Sequence, residues 1–170
     1  MELMGKYASA NHHIIHDSII KFLRHPVIKQ IENHHNFAWR EKHQGRDMIV
    51  HRKGATPAGK GVLGIIPGSM GTPGFVVEGL GNAEALNSTS HGAGRRMSRK
   101  AAMKNFTWKE TSEFLLKAGV ELLSAGLDEA PWAYKNINEV MNAQLDLARP
   151  IAKFMPRLVK MAPSGERPED

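Results

Sequence analysis

Residues 61–79 read GVLGIIPGSMGTPGFVVEG, and this stretch carries the clearest information about the fold. Two short apolar segments, 62–66 and 75–77, lie on either side of a turn rich in glycine and proline. Short apolar runs that are bounded by glycine are typical of strands. Of the 16 glycines, 11 lie between Gly54 and Gly94, which lets the backbone approach a bound group closely. The stretch therefore predicts the loops of a binding site carried on short strands.

Hydrophobic patterns on both sides of this stretch predict helices as well as strands. Apolar residues recur at helical spacing over residues 7–25, and Pro26 ends the pattern. Residues 37–50 predict a hairpin that turns at Gln44 and Gly45. Further helices are predicted over 95–104, 108–118 and 137–147, and further strands over 120–123 and 157–161. The predicted fold class is α+β, with mixed sheets of short strands and flanking helices.

The composition limits which chemistry the chain can perform. With 170 residues and a hydrophobic fraction of 41%, a single domain with a packed core is expected. No apolar run is long enough for a membrane span, so no membrane partner is expected. A net charge of +6 favours polyanions as partners. The absence of cysteine excludes disulfides and thiolate catalysis by this chain.

The most informative motif is SHGAGRR, at residues 90–96. His91 is accessible because glycine follows it, and the amides of this loop can approach a phosphate. An imidazole in such a place can act as a nucleophile toward phosphorus. Arg95 and Arg99 are four residues apart and give the helix predicted at 95–104 a cationic face suited to a phosphodiester backbone. A solvated basic helix explains the same charges equally well.

Other segments carry candidate groups, each with a structural alternative. The HHN string at 34–36 can provide an imidazole ligand for a divalent ion. Alternatively, it simply places a histidine at the end of a strand. The PGSMG string at 67–71 can aim N–H groups at an anion, or form an ordinary tight turn. The HRKG string at 51–54 puts fixed positive charge beside the glycine-rich region. His12 and His16 can chelate a metal from one helix face, although a polar surface explains them too.

Longer strings around these motifs resemble the RtcB-type RNA-splicing ligases, which join 3′-phosphate and 5′-hydroxy ends of nucleic acid. In family order they are HHNFAWRE (34–41), VHRKGAT (50–56), IIPGSMGTPGF (65–75), GLGN (79–82), SHGAGRRMSRKAA (90–102) and AYKNINEVM (133–141). The resemblance implies an RtcB-like α+β fold. It also implies that residues 1–162 are the C-terminal portion of the ligase domain. Residues 163–170 are polar and contain proline and glycine, so they are expected to form a disordered tail.

The resemblance implies a GTP- and Mn²⁺-dependent RNA ligase that acts in tRNA splicing and RNA repair in the cytoplasm. Such an enzyme joins an RNA 3′-phosphate or 2′,3′-cyclic phosphate to a 5′-hydroxyl end. In this sequence His91 takes the place of the catalytic histidine, which attacks the α-phosphate of GTP and forms a guanylyl-histidine. The GMP then passes to the RNA 3′-phosphate, and the 5′-hydroxyl displaces it.

The family motifs also imply roles for further residues. His35 is the expected metal ligand. The residues expected to hold the guanine nucleotide are Asn36, Pro67, Gly68, Ser69, Met70, His91, Gly92, Ala93, Gly94, Tyr134 and Lys160. The candidates for contacts with RNA or triphosphate groups are Lys53, Arg95 and Arg99. Gly74 stands where the family often has a serine that contacts GMP.

Other parts of the family pattern are missing from this sequence. The Asp-x-x-Cys pair, the Asn-His-Phe-Leu-Glu string and a further metal-binding histidine do not occur. Because a Mn²⁺ ion needs about six donors, the missing N-terminal half or a complementing chain is the expected partner, together with RNA. The alternative is a non-catalytic RNA- or nucleotide-binding remnant, or a subunit of a split ligase. The isolated chain is expected to have little activity and to expose apolar surface.

Overall fold

The computed structural model describes residues 2–163, so the tail expected at 163–170 lies outside the described residues except for its first position. The helices in this range are α1 (Glu2–Leu23), α2 (Arg99–Asn105), α3 (Trp108–Lys117) and α4 (Ile137–Asn142). The strands are β1 (Asn36–His43), β2 (Arg46–Lys53), β3 (Ala55–Pro57), β4 (Leu63–Ile66), β5 (Gly74–Gly79), β6 (Ser88–Ser90), β7 (Glu121–Ser124), β8 (Ala148–Phe154) and β9 (Leu158–Lys160). The α+β fold class is confirmed.

The predicted hairpin is formed by β1 and β2. Its turn residues Gln44 and Gly45 both have positive φ, 49° and 76°, which is the geometry that matches the right-handed twist of paired strands. At the open end of the hairpin, Asn36 pairs with Lys53. Two residues singled out in the sequence are therefore neighbours on adjacent strands.

The two predicted strands around the PGSMG turn form an antiparallel sheet with β8, in the order β4-β5-β8. β8 differs from the sequence prediction, which extends a helix to residue 147 and uses Pro150 as its terminator. α4 ends earlier, at Asn142. Pro150 is tolerated in β8 because this is an edge strand and because the pairing shifts register between Val76 and Val77.

Two short strand pairs complete the sheets of the described range. β7 and β9 pair in parallel and correspond to the strands predicted at 120–123 and 157–161. β3 and β6 pair antiparallel and are not predicted by the sequence pattern. Three-residue strands carry too little alternation to be recognised without their partners. The β3–β6 pair matters for the site because β6 leads directly into the SHGAG loop.

The basic helix begins later than the sequence predicts. α2 starts at Arg99, behind Ser98, whose side chain accepts a hydrogen bond from the first helical turn. Arg95 instead forms an isolated antiparallel bridge with Tyr134. The predicted helix over 95–104 is therefore wrong at its start, because Ser98 is the favourable N-cap and the preceding residues are held by tertiary contacts.

α3 begins where the Thr-Trp-Lys-Glu sequence indicates. The hydroxyl of Thr107 accepts a hydrogen bond from the N–H of Glu110, and the Glu110 carboxylate accepts one from the N–H of Thr107 at 3.1 Å. This is a complete capping box. The predicted helix over 108–118 is confirmed, with its end at Lys117.

Two apolar clusters hold the glycine-rich loops. The first consists of Ile66, Phe75, Val77, Ala93, Ile137, Met141 and Ala148. The second consists of Met70, Leu115, Val120, Ala125 and Val159. The PGSM turn therefore begins beside one cluster at Ile66 and ends in the other at Met70, and each such fully buried side chain contributes about 1.5–3 kcal/mol. Both ends of this turn are fixed by packing.

α1 is confirmed as a long helix, but none of its residues is buried. Leu3 is 78% and Phe22 is 84% exposed, so the apolar surface expected from the sequence is present on this helix. No helix within residues 2–163 is long and apolar enough to cross a membrane.

Candidate nucleotide site

A cavity of about 470 Å³ lies between the two loops that the sequence singled out. Its lining consists of Pro67, Gly68, Ser69, Met70, His91, Gly92, Ala93, Gly94, Arg95, Arg99, Tyr134 and Met161. Residues from four separate parts of the sequence therefore surround one space. Eleven of these twelve residues are sequence-predicted, and Met161 is the exception.

Backbone hydrogen bonds join the loops directly. The N–H of Ala93 donates to the carbonyl of Pro67 at 2.9 Å. On the other side of the SHGAG loop, the N–H of Lys135 donates to the carbonyl of Gly94 at 2.9 Å, where Gly94 has a φ of 73°. Since both bonds join backbone atoms, they hold the loops together without depending on side chains.

Gly68 is required by the shape of the PGSM turn. A Cβ atom at this position would lie 2.3 Å from the carbonyl oxygen of Pro73, which belongs to the backbone and cannot move aside. The turn is closed by Thr72, whose hydroxyl accepts a hydrogen bond from the N–H of Ser69 at 2.7 Å. The absence of a side chain at Gly68 leaves its backbone accessible to the cavity.

His91 lies beside His35, the expected metal ligand. The two imidazole rings are stacked with centroids 5.2 Å apart and an angle of 15° between their planes. Gly54 connects their backbones, because its N–H donates to the carbonyl of His35 at 3.1 Å and its carbonyl accepts from the N–H of His91 at 3.4 Å. Gly54 adopts a φ of 74°, which a residue without a side chain adopts easily.

Other predicted site residues lie near the cavity without lining it. Asn36 follows His35 and faces Lys53 across the hairpin, while Lys53 itself is exposed and precedes Gly54. Lys160 is exposed at the end of β9 and precedes Met161, which lines the cavity. The structure brings these residues to the edge of the site, and their roles in binding stay predictions.

Arg95, Arg99 and Tyr134 share a pair of carboxylates that the sequence analysis missed. Arg99 pairs with Asp128 at 2.7 Å and also contacts Glu129. The guanidinium of Arg95 lies 5.1 Å from the centre of the Tyr134 ring and contacts Glu129 at 3.4 Å. In the sequence, the adjacent residues Asp128 and Glu129 just before the AYK motif were the available signal for this network, but only the fold shows which side chains they contact.

This network raises the pKa of two of its members, Tyr134 and Arg99. The pKa of Tyr134 is raised to about 12, first by burial and then by the hydrogen bond that its hydroxyl donates to Glu129. The pKa of Arg99 is also raised, chiefly by its hydrogen bond to Asp128. The cavity therefore keeps a neutral phenol and a permanently charged guanidinium beside each other at neutral pH.

Replacing Glu129 with glutamine should lower the pKa of Tyr134 from about 12 toward its ordinary value of 10.0. The reason is that a carboxylate acceptor stabilises the protonated phenol and repels the phenolate, whereas an amide does so weakly. Burial of the ring keeps the new pKa above the ordinary value. The measurement is an ultraviolet titration of the phenolate in a Tyr7→Phe background, which leaves Tyr134 as the only tyrosine. A Glu139→Gln control should leave the titration unchanged, and an unchanged pKa in Glu129→Gln would contradict the contact.

Gly74 also has a structural explanation. It pairs with Phe154 in β8, and a Cβ atom at this position would lie 2.3 Å from the Phe154 ring. A serine at Gly74 therefore requires Phe154 to move. The close packing of this ring accounts for glycine at a position where the resemblance leads one to expect serine.

The histidines of α1 do not form the chelating pair considered from the sequence. His12 faces Glu32 at 3.4 Å, whereas His16 contacts the amide of Gln30 at 2.6 Å. Among residues 2–163, no group of three or more histidine, aspartate or glutamate side chains is arranged to hold a metal ion. The described residues do not fit a complete Mn²⁺ shell.

Two backbone-linked glycine-rich loops around a histidine, with arginine and tyrosine side chains beside them, are typical of an enzyme domain that handles nucleotides or other phosphates. The family model for the tRNA-splicing ligase RtcB matches residues 1–161. The chain belongs to the RtcB family, and the resemblance inferred from its motifs is confirmed.

Three curated proteins illustrate the similarity. The chain is 44% identical over 134 residues to the RNA-splicing ligase RtcB of Escherichia coli, covering 77% of this chain and 33% of that protein. It is 37% identical over 145 residues to the RNA-splicing ligase RtcB of Mycobacterium tuberculosis, covering 72% of this chain and 34% of that protein. It is 37% identical over 149 residues to the tRNA-splicing ligase RtcB of Pyrococcus abyssi, covering 72% of this chain and 16% of that protein. The chain thus spans about a third of the length of the two bacterial relatives.

Proposed function

We propose that this chain provides the nucleotide site and the nucleophile of a GTP- and Mn²⁺-dependent RNA ligase. The observation that carries the proposal is the placement of His91 in one cavity with the PGSM and HGAG loops, Arg95, Arg99 and Tyr134. The names of the relatives point to RNA splicing as the process. The cytoplasm, where tRNA and GTP are abundant, is the proposed location.

In the proposed reaction, an imidazole nitrogen of His91 attacks the α-phosphorus of GTP. An N–P bond forms, the bond to the bridging oxygen of the β-phosphate breaks, and pyrophosphate leaves. A 2′,3′-cyclic RNA end is first opened to a 3′-phosphate. The guanylyl-histidine then transfers its GMP to this RNA 3′-phosphate. The 5′-hydroxyl of the second RNA end then attacks the 3′-phosphorus, and GMP leaves. The loop amides and the Arg99 guanidinium are suited to stabilise the charge on the phosphate oxygens.

We propose Mn²⁺ as the metal because the motifs of this chain resemble those of a Mn²⁺-dependent ligase family, and His35 is the proposed donor from this chain. Since the described residues do not complete a metal shell, we propose that the remaining donors come from a polypeptide that corresponds to the part of the relatives outside the matched region, in the same chain or in a separate one. A non-catalytic remnant that only binds RNA or nucleotide is the second candidate, and the incomplete donor set favours it.

The test is incubation of the chain with α-³²P-labelled GTP and Mn²⁺, alone and together with a polypeptide that covers the part of the Escherichia coli relative outside the matched region. We expect a covalent label only when the added polypeptide is present. Label without it would contradict the proposed division of the metal site. If neither tube gives a label although equilibrium binding shows that the chain still binds GTP, the result would favour the non-catalytic remnant.

A further inference from the structure

A second cavity of about 310 Å³ lies beside the nucleotide cavity. It is lined mainly by Pro73, Arg96, Phe114, Trp132, Tyr134 and Lys135, and we refer to it as the Trp132 groove. Tyr134 lines both spaces. The two cavities therefore adjoin at Tyr134, and the family motifs imply no role for the other five of these residues.

The wall of the Trp132 groove is aromatic and firmly placed. The Trp132 ring packs edge-on against Phe114, with centroids 5.2 Å apart, and against Phe106 at 5.5 Å. Its backbone belongs to a short 3-10 helix, Pro131–Ala133. Part of the Trp132 surface remains exposed. A fixed, partly exposed indole is a surface on which a planar base can stack with little loss of side-chain entropy.

The groove carries two cations that have no ion-pair partner among the described residues. Arg96 and Lys135 are both exposed, and within residues 2–163 neither makes an ion pair. Arg95, which precedes Arg96 in the sequence, differs from these two residues because it makes an ion pair with Glu129. The bridge between Arg95 and Tyr134 explains the difference. Since alternate residues of paired segments face opposite sides, Arg95 faces the carboxylates while Arg96 and Lys135 face the groove.

We propose that the Trp132 groove binds an unpaired base of single-stranded RNA, with the adjoining phosphate held by Arg96 and Lys135. The combination of an aromatic platform and uncompensated cations is characteristic of single-strand binding. The choice of RNA rests on the proposed function, since the strand that ends in the nucleotide cavity would continue into the groove past Tyr134. Duplex RNA does not fit, because its bases are paired and stacked and cannot enter.

The first test measures fluorescence anisotropy of a dye-labelled oligouridylate carrying a 3′-phosphate. Trp132→Leu should weaken binding by about 5- to 150-fold, the range for loss of one base–aromatic stack. Trp132→Tyr should retain most of the affinity because it keeps an aromatic face. Trp108→Leu is the matched control: Trp108 is 40% exposed, lies outside the groove and should have no effect.

The second test addresses the cations and does not depend on the packing of Trp132. Arg96→Gln and Lys135→Gln alter exposed side chains, so folding should be preserved. Each should reduce the salt dependence of binding by about 0.7 in the slope of log affinity against log salt. A Lys109→Gln control, which removes an exposed charge outside the groove, should leave the slope unchanged.

The proposal is overturned if the wild-type chain binds the oligouridylate no more tightly than a blunt RNA duplex, because the surface then acts by charge alone. It is also overturned if Trp132→Tyr and Trp132→Leu bind equally while both cation variants keep the wild-type slope. The outcome is separable from that of the labelling experiment. RNA binding that depends on Trp132 without labelling at His91 would remove the proposed ligase activity and leave the groove assignment intact.

Discussion

Replacing His91 with alanine should eliminate the covalent label from α-³²P-labelled GTP when the chain is mixed with the added polypeptide of the labelling experiment. Among the histidines that the structure describes, His91 is the one that lines the cavity between the PGSM and HGAG loops, whereas His35 stacks on it with centroids 5.2 Å apart and does not line the cavity. Removal of a covalent nucleophile leaves the bound GTP with no acceptor. The expected effect is loss of the label to background, whereas binding of GTP should persist.

The matched control is His25→Ala, which removes an exposed imidazole outside the cavity. It should be labelled to the same extent as wild type. The label of the wild-type protein should be released by acid and resist alkali, as a phosphorus–nitrogen bond does. Label of normal intensity on the His91→Ala protein would exclude His91 as the nucleophile and would leave the cavity as a binding site only.

Locally encoded features were predictable from the sequence. The hairpin turn at Gln44 and Gly45 needs only residues that accept positive φ, and the capping box of α3 needs only Thr107 and Glu110. Each of these features is decided within four residues of the chain. The local rules therefore identified the correct structure without knowledge of its tertiary partners.

The features that the sequence missed depend on partners far along the chain. β8 exists because it pairs with β5, more than 70 residues earlier, and this pairing outweighs the presence of Pro150. The start of α2 is displaced to Arg99 because Arg95 is bound to Tyr134, which follows it by 39 residues. Propensity along one segment contains no information about such contacts.

The candidate site follows the same division. Its two loops were recognisable as strings, but their distance from each other was not, since it depends on the hydrogen bond between Ala93 and Pro67 and on the packing of Ile66 and Ala93 in one cluster. The carboxylates of Asp128 and Glu129 were overlooked because a short acidic pair in a sequence usually lies on a solvated surface. In the fold, they hold the arginines that the sequence assigned to RNA or triphosphate.

Replacing Arg52 with methionine should lower the free energy of unfolding by about 3–5 kcal/mol, which is the usual cost of removing one partner of a buried ion pair. The Arg52 side chain is 2% exposed and makes two hydrogen bonds to the Glu41 carboxylate, at 2.6 and 2.9 Å. It also donates to the hydroxyl of Ser88 at 2.7 Å and to the carbonyl of Leu86 at 2.8 Å. Without the Arg52 guanidinium, the β1–β2 hairpin loses these hydrogen bonds to residues 86–88, the segment that leads into the SHGAG loop.

Urea unfolding of the two proteins measures this difference, and Arg149→Met is the control. Arg149 makes a comparable pair with Glu78, but its side chain is 65% exposed, so its loss should cost less than about 1 kcal/mol. Adding Glu41→Gln to Arg52→Met should recover part of the stability, because the partly buried carboxylate that lost its guanidinium partner is then neutral. Equal losses for the buried and the exposed arginine would contradict the assignment of Arg52 as a structural anchor.

The same pair predicts a dependence of stability on pH. The pKa of Glu41 lies below its ordinary value of 4.5, chiefly because of the hydrogen bond from Arg52. A lowered pKa means that the unfolded chain takes up the proton first, so the stabilisation is present above the ordinary value and disappears as the pH falls through the lowered one. Wild type should therefore lose stability below pH 4.5 more steeply than Arg52→Met, in which Glu41 has no guanidinium to favour its charged form. Parallel pH curves for the two proteins would mean that Glu41 titrates normally and that Arg52 stabilises the hairpin only through Ser88 and Leu86.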